Sequence, residues 1–237
     1  MELILKGGTL YDPASKKSGQ FDIGFKGGRV AAVEPGLSPE LARETIDVTG
    51  KTVVPGLIDL HTHVYHGGTS LGIHPDNHAR GAGVTTFVDA GSSGPGNFLG
   101  FHEHVIKRSR SRILAFLNIS FPGIFGFDFR VGECENLKLL DPNAVIDRAR
   151  EYQDHIIGVK VRVGKFTSGD NNIEPMMLAK KAAGKLAKPL MAHIDSPPPS
   201  IEEVLACLGA GDILTHCFRP FPNDPVDVSG AVKKEVL

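Results

Sequence analysis

Tryptophan is missing from the 237 residues, and cysteine occurs only three times, as Cys134, Cys207 and Cys217. An odd number of cysteines with no Cys-x-x-Cys pair argues against a disulfide framework and suits a reducing compartment. Cys207 reads as a small buried hydrophobe on a helix. Cys217 is next to His216, but on a strand it would face the opposite way. Charge of one sign is also lacking: the formal net charge is -1. With no basic block beyond the short Lys233-Lys234, nothing points to nucleic acid or an anionic membrane as a partner. No apolar run approaches the length of a membrane span, and Met1-Glu2-Leu3-Ile4-Leu5-Lys6 lacks the pattern of a signal peptide. A cytoplasmic protein is the expectation. The chain is 41% hydrophobic and 22% charged, so it can bury a full core and is not disordered.

Residues 1–52 read as a small β-rich domain. Leu3–Leu5, Phe21–Phe25, Arg29–Val33 and Thr45–Val48 are short strand-like runs, punctuated by Gly7-Gly8, Asp12-Pro13, Gly27-Gly28 and Pro35-Gly36. Phe25-Lys26-Gly27-Gly28-Arg29 has the form of a tight hairpin. No catalytic residue stands out, and the domain is read as scaffolding.

From Val53 onward the period changes. Six apolar strand candidates, Val53–His61, Val84–Asp89, Ile113–Ile119, Ile156–Val161, Pro189–His193 and Ile213–His216, alternate with amphipathic stretches. Those stretches lie near 75–80, 97–108, 142–152, 174–186 and 201–208, with Asp141-Pro142 and Ser200-Ile201-Glu202-Glu203 as helix starts. A βαβα succession of buried strands implies an α/β fold with a parallel sheet covered by helices. The first βα turn lacks a glycine-rich phosphate fingerprint, whereas polar residues recur at strand C-termini, where barrels place their chemistry. Residues 53–237 therefore read as a TIM-type (β/α)8 barrel, here incomplete. Six βα units fall short of the eight that close a barrel, which predicts an exposed sheet edge.

The strand ends carry the chemistry. His61 and His63 are two apart, so on a strand they present two imidazoles to one side, and neutral imidazole is the commonest zinc ligand. Lys160, His193 and His216 end the fourth, fifth and sixth runs. A lysine in a buried strand is costly unless paired or neutralised. A neutral amine can add carbon dioxide, and the resulting carbamate would give four neutral imidazoles the bridging anionic ligand they lack.

Pro55-Gly56-Leu57-Ile58-Asp59-Leu60-His61-Thr62-His63, followed by Lys160, His193 and His216, resembles the amidohydrolase superfamily. More narrowly it is similar to the dihydroorotase-like amidohydrolase/deacetylase family, for which Val88-Asp89-Ala90-Gly91-Ser92 and Leu214-Thr215-His216-Cys217-Phe218 are also typical phrases. The resemblance implies that residues 1–52 are the N-terminal part of a small β-sandwich domain. It implies two divalent metal ions, with zinc the usual occupant. His61 and His63 would hold the first, Lys160 as its carbamate would bridge both, and His193 and His216 would hold the second. The activity it implies is hydrolysis of an acyl bond by a metal-bridging hydroxide, with a general-base aspartate at the end of an eighth strand that is absent from these residues.

The leading expectation is hydrolysis of amide, cyclic-amide or ester bonds in small acyl compounds. A dihydroorotase-type cyclic amidase is the alternative within enzymes, and an inactive homologue acting in binding or assembly is the alternative outside them. Arg162, on the side of its strand that bears Lys160, would either hold a substrate carboxylate or form a structural ion pair. Asp89 and Gly91–Gly94 read chiefly as a βα turn, residues 121–140 as a lid or pocket wall, and Asp195 as a loop residue. His66 and His74 are placed near the pocket mouth and His78 on a helix without a partner. His102 and His104 are expected on a helix's outer face, and His155 at the far end of the barrel. A homo-oligomer is expected from the open edge.

Overall fold

The computed structural model describes residues 1–126, 132–219 and 222–236, which form two compact units, Met1–Leu57 and Ile58–Leu237. In the first, β1 (Leu3–Asp12), β2 (Lys17–Lys26), β3 (Arg29–Glu34), β4 (Glu44–Asp47) and β5 (Thr52–Val53) form one sheet. Its order is β3-β2-β1-β4, with β5 also on β1. The hairpin turns through Gly27 and Gly28 at φ +59° and +70°, between the paired residues Lys26 and Arg29. A two-residue turn of this hand needs positive φ at both positions, which glycine adopts without steric cost.

Asp22 is the polar anchor of this sheet. Only 5% exposed, it accepts the backbone N–H groups of Gly7 (2.8 Å) and Leu37 (2.9 Å) and the Lys6 ammonium (2.9 Å). Burial alone would raise its pKa, but the Gly7 and Leu37 amides and the Lys6 charge outweigh burial and lower it. A carboxyl with a lowered folded pKa stabilises fully above the ordinary carboxylate range and loses that contribution as pH falls through the folded value. Asp22→Asn should therefore cost about 2 kcal/mol at pH 7. The gap to the unsubstituted chain should narrow in urea titrations below about pH 4. A gap of constant size down to the lowest pH would mean that the charge contributes nothing.

The sequence reading placed one strand over Val53–His61. There are two: β5 pairs with β1 in the small sheet, and β6 (Leu57–Thr62) belongs to the large one. Pro55, without an N–H to donate, and Gly56 separate them. After β6 come α1 (Pro75–Ala82), β7 (Val84–Ala90), α2 (Phe98–His104), β8 (Arg112–Asn118), α3 (Pro142–Glu151), β9 (Ile156–Val163), α4 (Lys165–Ser168), α5 (Glu174–Leu186), β10 (Leu190–Ile194), α6 (Ile201–Cys207) and β11 (Ile213–Thr215). The sheet order is β11-β10-β9-β8-β7-β6, with parallel pairing from β7 to β11. Asp141 caps α3 through the N–H groups of Asn143 and Ala144. Ser200 and Glu203 cap α6 reciprocally, as expected of a capping box.

Alternation along the strands sorts two cores. One face packs Phe87, Leu117, Val159, Val161, Leu190 and Ala192 against the helices. The other gathers Val88, Ala90, Phe116 and Met191. Register then stacks polar residues above this second core: Asn118 beside Lys160, Lys160 beside Met191, and His193 between Arg162 and Thr215. The terminal strands expose apolar side chains, with Ile58 58% and Leu60 68% accessible on β6. Among the described residues no helix is long and apolar enough to cross a membrane.

Candidate functional site

Lys160 and Arg162 lie on β9, His193 on β10 and His61 on β6, while His63 and His216 each sit just past a strand end. All six line one cavity of about 480 Å³. The rings of His61 and His216 come within 5.2 Å, although their strands are the two ends of the sheet. Five inter-strand spacings in a flat sheet would hold them roughly 24 Å apart, so the sheet is curled into a barrel wall. His61 and His63 are 5.8 Å apart and His193 and His216 4.3 Å, centroid to centroid. The four imidazoles thus form one chain of neighbours.

Burial, followed by the positive charge of Lys160, holds the imidazoles of His61 and His216 down at about 4 and that of His63 at about 3. His193 is depressed further, by burial and then by Arg162. All four are neutral at pH 7, with lone pairs available. His63 Nδ1 lies 2.9 Å from Ser92 Oγ, which orients the ring. His216 adopts φ +60°, a region few non-glycine residues enter and one found at sites where the fold holds a side chain in place.

Lys160 is 1% exposed. Burial, then the neighbouring Arg162, brings its ammonium down to about 7, so much of the amine is uncharged at neutral pH. Its Nζ lies 3.4 Å from Thr215 Oγ1, and among the described residues no carboxylate is within ion-pair distance. Its stem lies over Gly91, at φ +90°, where an added Cβ would come 2.5 Å from Lys160 Cγ.

Arg162 donates from Nη1 to Glu133 Oε2 at 2.9 Å, and Asn118 Nδ2 donates to Glu133 Oε1 at 2.7 Å. Glu133 is 4% exposed. Arg162 thus forms a structural ion pair and also faces the cavity. Sequence reasoning missed Glu133; a buried arginine in a strand calls for a carboxylate, but nothing in the pattern says which. Arg219 was also missed. It lines the cavity, and its Nε is buried without a hydrogen-bond partner.

Asp89 is fully buried and accepts the N–H groups of Val64, Gly91 and Ser92. It braces the segment after His63 against the turn after β7 rather than facing the cavity. Asp195 follows β10, borders the cavity and takes a hydrogen bond from Thr167 Oγ1 at 3.1 Å; burial raises its pKa, against that bond. Residues 127–131 of the expected lid lie outside the described residues, while Ile124 of the same stretch borders the cavity. His66 and His74 stack on each other at 4.6 Å and are not among its lining. His78 rests near Phe87.

The expectation for His102 needs correction. His104 is exposed, but His102 packs between Phe98, Tyr152 and His155. Position 102 lies four residues after Phe98, on the inward side of α2. Cys134 is a core residue, and Cys207 packs against that core from α6.

The donor set suits a divalent metal. Imidazoles held neutral are ligands in the state that metals require, and His193 Nε2 is buried with no partner among the described residues. Among the described residues no three His, Cys, Asp or Glu side chains make a ready single-ion site. The imidazoles offer two donors at each end of their chain, and a shared third ligand at Lys160 would complete both.

No protein-family model matches the chain. It is 42% identical over 206 residues to a deacetylase of Agrobacterium fabrum, covering 87% of this chain and 50% of that protein. A solved dihydroorotase superposes with a TM-score of 0.84 at 36% identity, over 94% of this chain and 59% of that one. A solved adenine deaminase gives a TM-score of 0.87 at 31% identity, over 99% and 62%. The chain spans about half the length of the curated deacetylases it matches. Sequence, barrel sheet and strand-end residues agree: the chain is homologous to deacetylases and dihydroorotases, and its structural neighbours are members of the amidohydrolase superfamily.

Proposed function

We propose that this chain carries the metal-binding core of a hydrolase acting on amide, cyclic-amide or ester bonds of small acyl compounds. The convergence of His61, His63, Lys160, His193 and His216 on one cavity carries the reading. His61 and His63 would hold one divalent ion, and His193 and His216 a second, with zinc the best match to imidazole donors. Lys160, its amine uncharged and enclosed, would add carbon dioxide at Nζ and lose a proton, supplying the anionic ligand that the imidazoles lack. Two such ions, when bound, supply Lewis acidity toward a carbonyl and a water.

The chain's own residues do the rest. Ser92 sets the His63 ring, Asp89 braces the loop behind it, and Arg162, steadied by Glu133, offers a guanidinium to a substrate carboxylate. Leu71, Ile124 and Phe166 give the cavity an apolar wall, which suits the acyl part. Likeness to deacetylases favours an open-chain acyl substrate. Likeness to a dihydroorotase supports ring opening of a cyclic amide as the second reading. Relatives named as enzymes favour hydrolysis over an inactive binding protein. The reading extends to a cytoplasmic location and to self-association through the open sheet edges.

The test is metal content with intact mass. The whole chain, purified with zinc and bicarbonate, should retain about two ions and show the added mass of one carbon dioxide under gentle ionisation. A folded chain that binds no metal under these conditions would refute the proposal.

A further inference from the structure

Asp195 is the cavity's one lining carboxylate among the described residues, and it is held from several sides. It lies over Gly164, at φ +143°, where an added Cβ would collide with the carboxyl. Thr167 Oγ1 donates to its Oδ2 at 3.1 Å, and the Phe166 backbone N–H also acts on the carboxyl. Behind it, the buried Asn223 donates from Nδ2 to the Asp195 carbonyl at 2.8 Å and to the Pro199 carbonyl at 3.0 Å, and accepts the Ile201 N–H at 3.0 Å. The loop between β10 and α6 is thereby fixed at both ends. Yet Asp195 Oδ1 is buried with no hydrogen-bond partner among the described residues.

An unanswered buried acceptor costs free energy that a ligand's donor recovers. An acceptor already fixed in place loses little further freedom when it binds. The surrounding charge selects the kind of donor. Arg162, Arg219 and Lys160 border the same cavity, and the charges of Arg162 and Arg219 already act on Asp195. A cationic ligand would be repelled by them, and Asp195 needs no further counter-charge. A neutral donor is what remains, and the amide N–H is the one that the amide substrates proposed above carry. Phe166, from the same apolar wall, offers a surface to the hydrocarbon beside it.

We infer that Asp195 is a specificity-determining residue whose Oδ1 accepts the N–H of an amide ligand, so that amides are preferred to esters of the same shape. This rests on the hydrolase reading above for its link to turnover, but not for the binding itself. An ester brings only acceptors, which would leave Oδ1 unanswered.

The probes are benzamide and methyl benzoate, titrated by NMR into the whole chain after chelation, so that no metal can hold either carbonyl. Both carry a ring for the apolar wall and a carbonyl, but only the amide has an N–H. Benzamide should bind about tenfold tighter, as expected of one hydrogen bond to a charged acceptor. Asp195→Asn keeps the size of the side chain and should remove most of that preference. Asp195→Ala supplies the same comparison should the first variant fail to fold. A preference that survives intact in a folded variant overturns the inference. So does an unsubstituted chain that favours the ester, as a protonated carboxyl would, or that binds the two probes alike or binds neither. Zinc uptake, measured on portions of the same samples without chelator, separates the two proposals. Normal uptake without amide preference sinks this inference alone, and a preference that depends on Asp195 in a chain that never takes up zinc sinks the hydrolase reading alone.

Discussion

Lys160→Ala should reduce the bound metal of the chain from about two ions to well under one, and abolish any hydrolysis that depends on it. The argument is one of donor count. Four neutral imidazoles come in two pairs, and no third His, Cys, Asp or Glu side chain joins either pair among the described residues. Two neutral nitrogens hold zinc weakly; a shared anionic ligand at Nζ would complete both sites at once, so its loss is felt by both. Fold loss is a poor alternative explanation. The substitution removes a buried amine that has no ion-pair partner among the described residues, which relieves a desolvation cost while it opens a cavity. The check is metal analysis beside circular dichroism. A folded Lys160→Ala chain that still retains two ions would show that the imidazoles suffice and that the carbamate has no part.

The second large effect concerns stability. Arg162→Ala leaves the Glu133 carboxylate buried without its counter-charge, 4% exposed and bonded only by Asn118 among the hydrogen bonds described above. Breaking a buried pair from one side costs about 3–5 kcal/mol. For a unit of this size that lowers Tm by roughly 10 °C. Glu133→Gln should cost less, because one side-chain oxygen still accepts a hydrogen bond, no charge is left stranded on Glu133's side, and Arg162 still reaches cavity water. The double variant Arg162→Leu with Glu133→Leu should recover part of the loss, since it removes both charges instead of stranding one. Thermal unfolding of the three variants decides the matter. If Arg162→Ala falls by less than about 1 kcal/mol, the pair behaves like an exposed one and the buried network has been misjudged.

Much of this was legible in the chain itself, for physical reasons. Strands such as Ile156–Val163 are buried on both faces and read as continuous apolar runs. The Asp141 and Ser200 caps announce their helices locally. His61 and His63 share a side because strand geometry is local, and Lys160 stands out because a charged residue in such a run needs an explanation. Pro55-Gly56 sat in plain view, yet the apolar run continued past it; which sheet each half joins is decided by pairing with β1 or β7, a long-range matter. Glu133 and Arg219 lie in loops whose paths no period encodes, so their approach to the site could not be read from spacing. His102 was misplaced for a simpler reason. Residues two apart on a helix face different ways, so His102 and His104 could not both be outside.

Gly91 leaves a mark that reaches beyond this molecule. Its backbone lies so close beneath Lys160 that any side chain there would meet the lysine stem at 2.5 Å, at a φ that side chains avoid. The two positions are therefore bound in inheritance, although they stand 69 positions apart in the chain. A descendant that gave up the lysine would relieve the close approach and leave only the turn's φ of +90° to favour glycine, and one that lost the glycine first would lose the lysine's place. Across related chains a side chain at position 91 should therefore be found only where the lysine at position 160 is also gone.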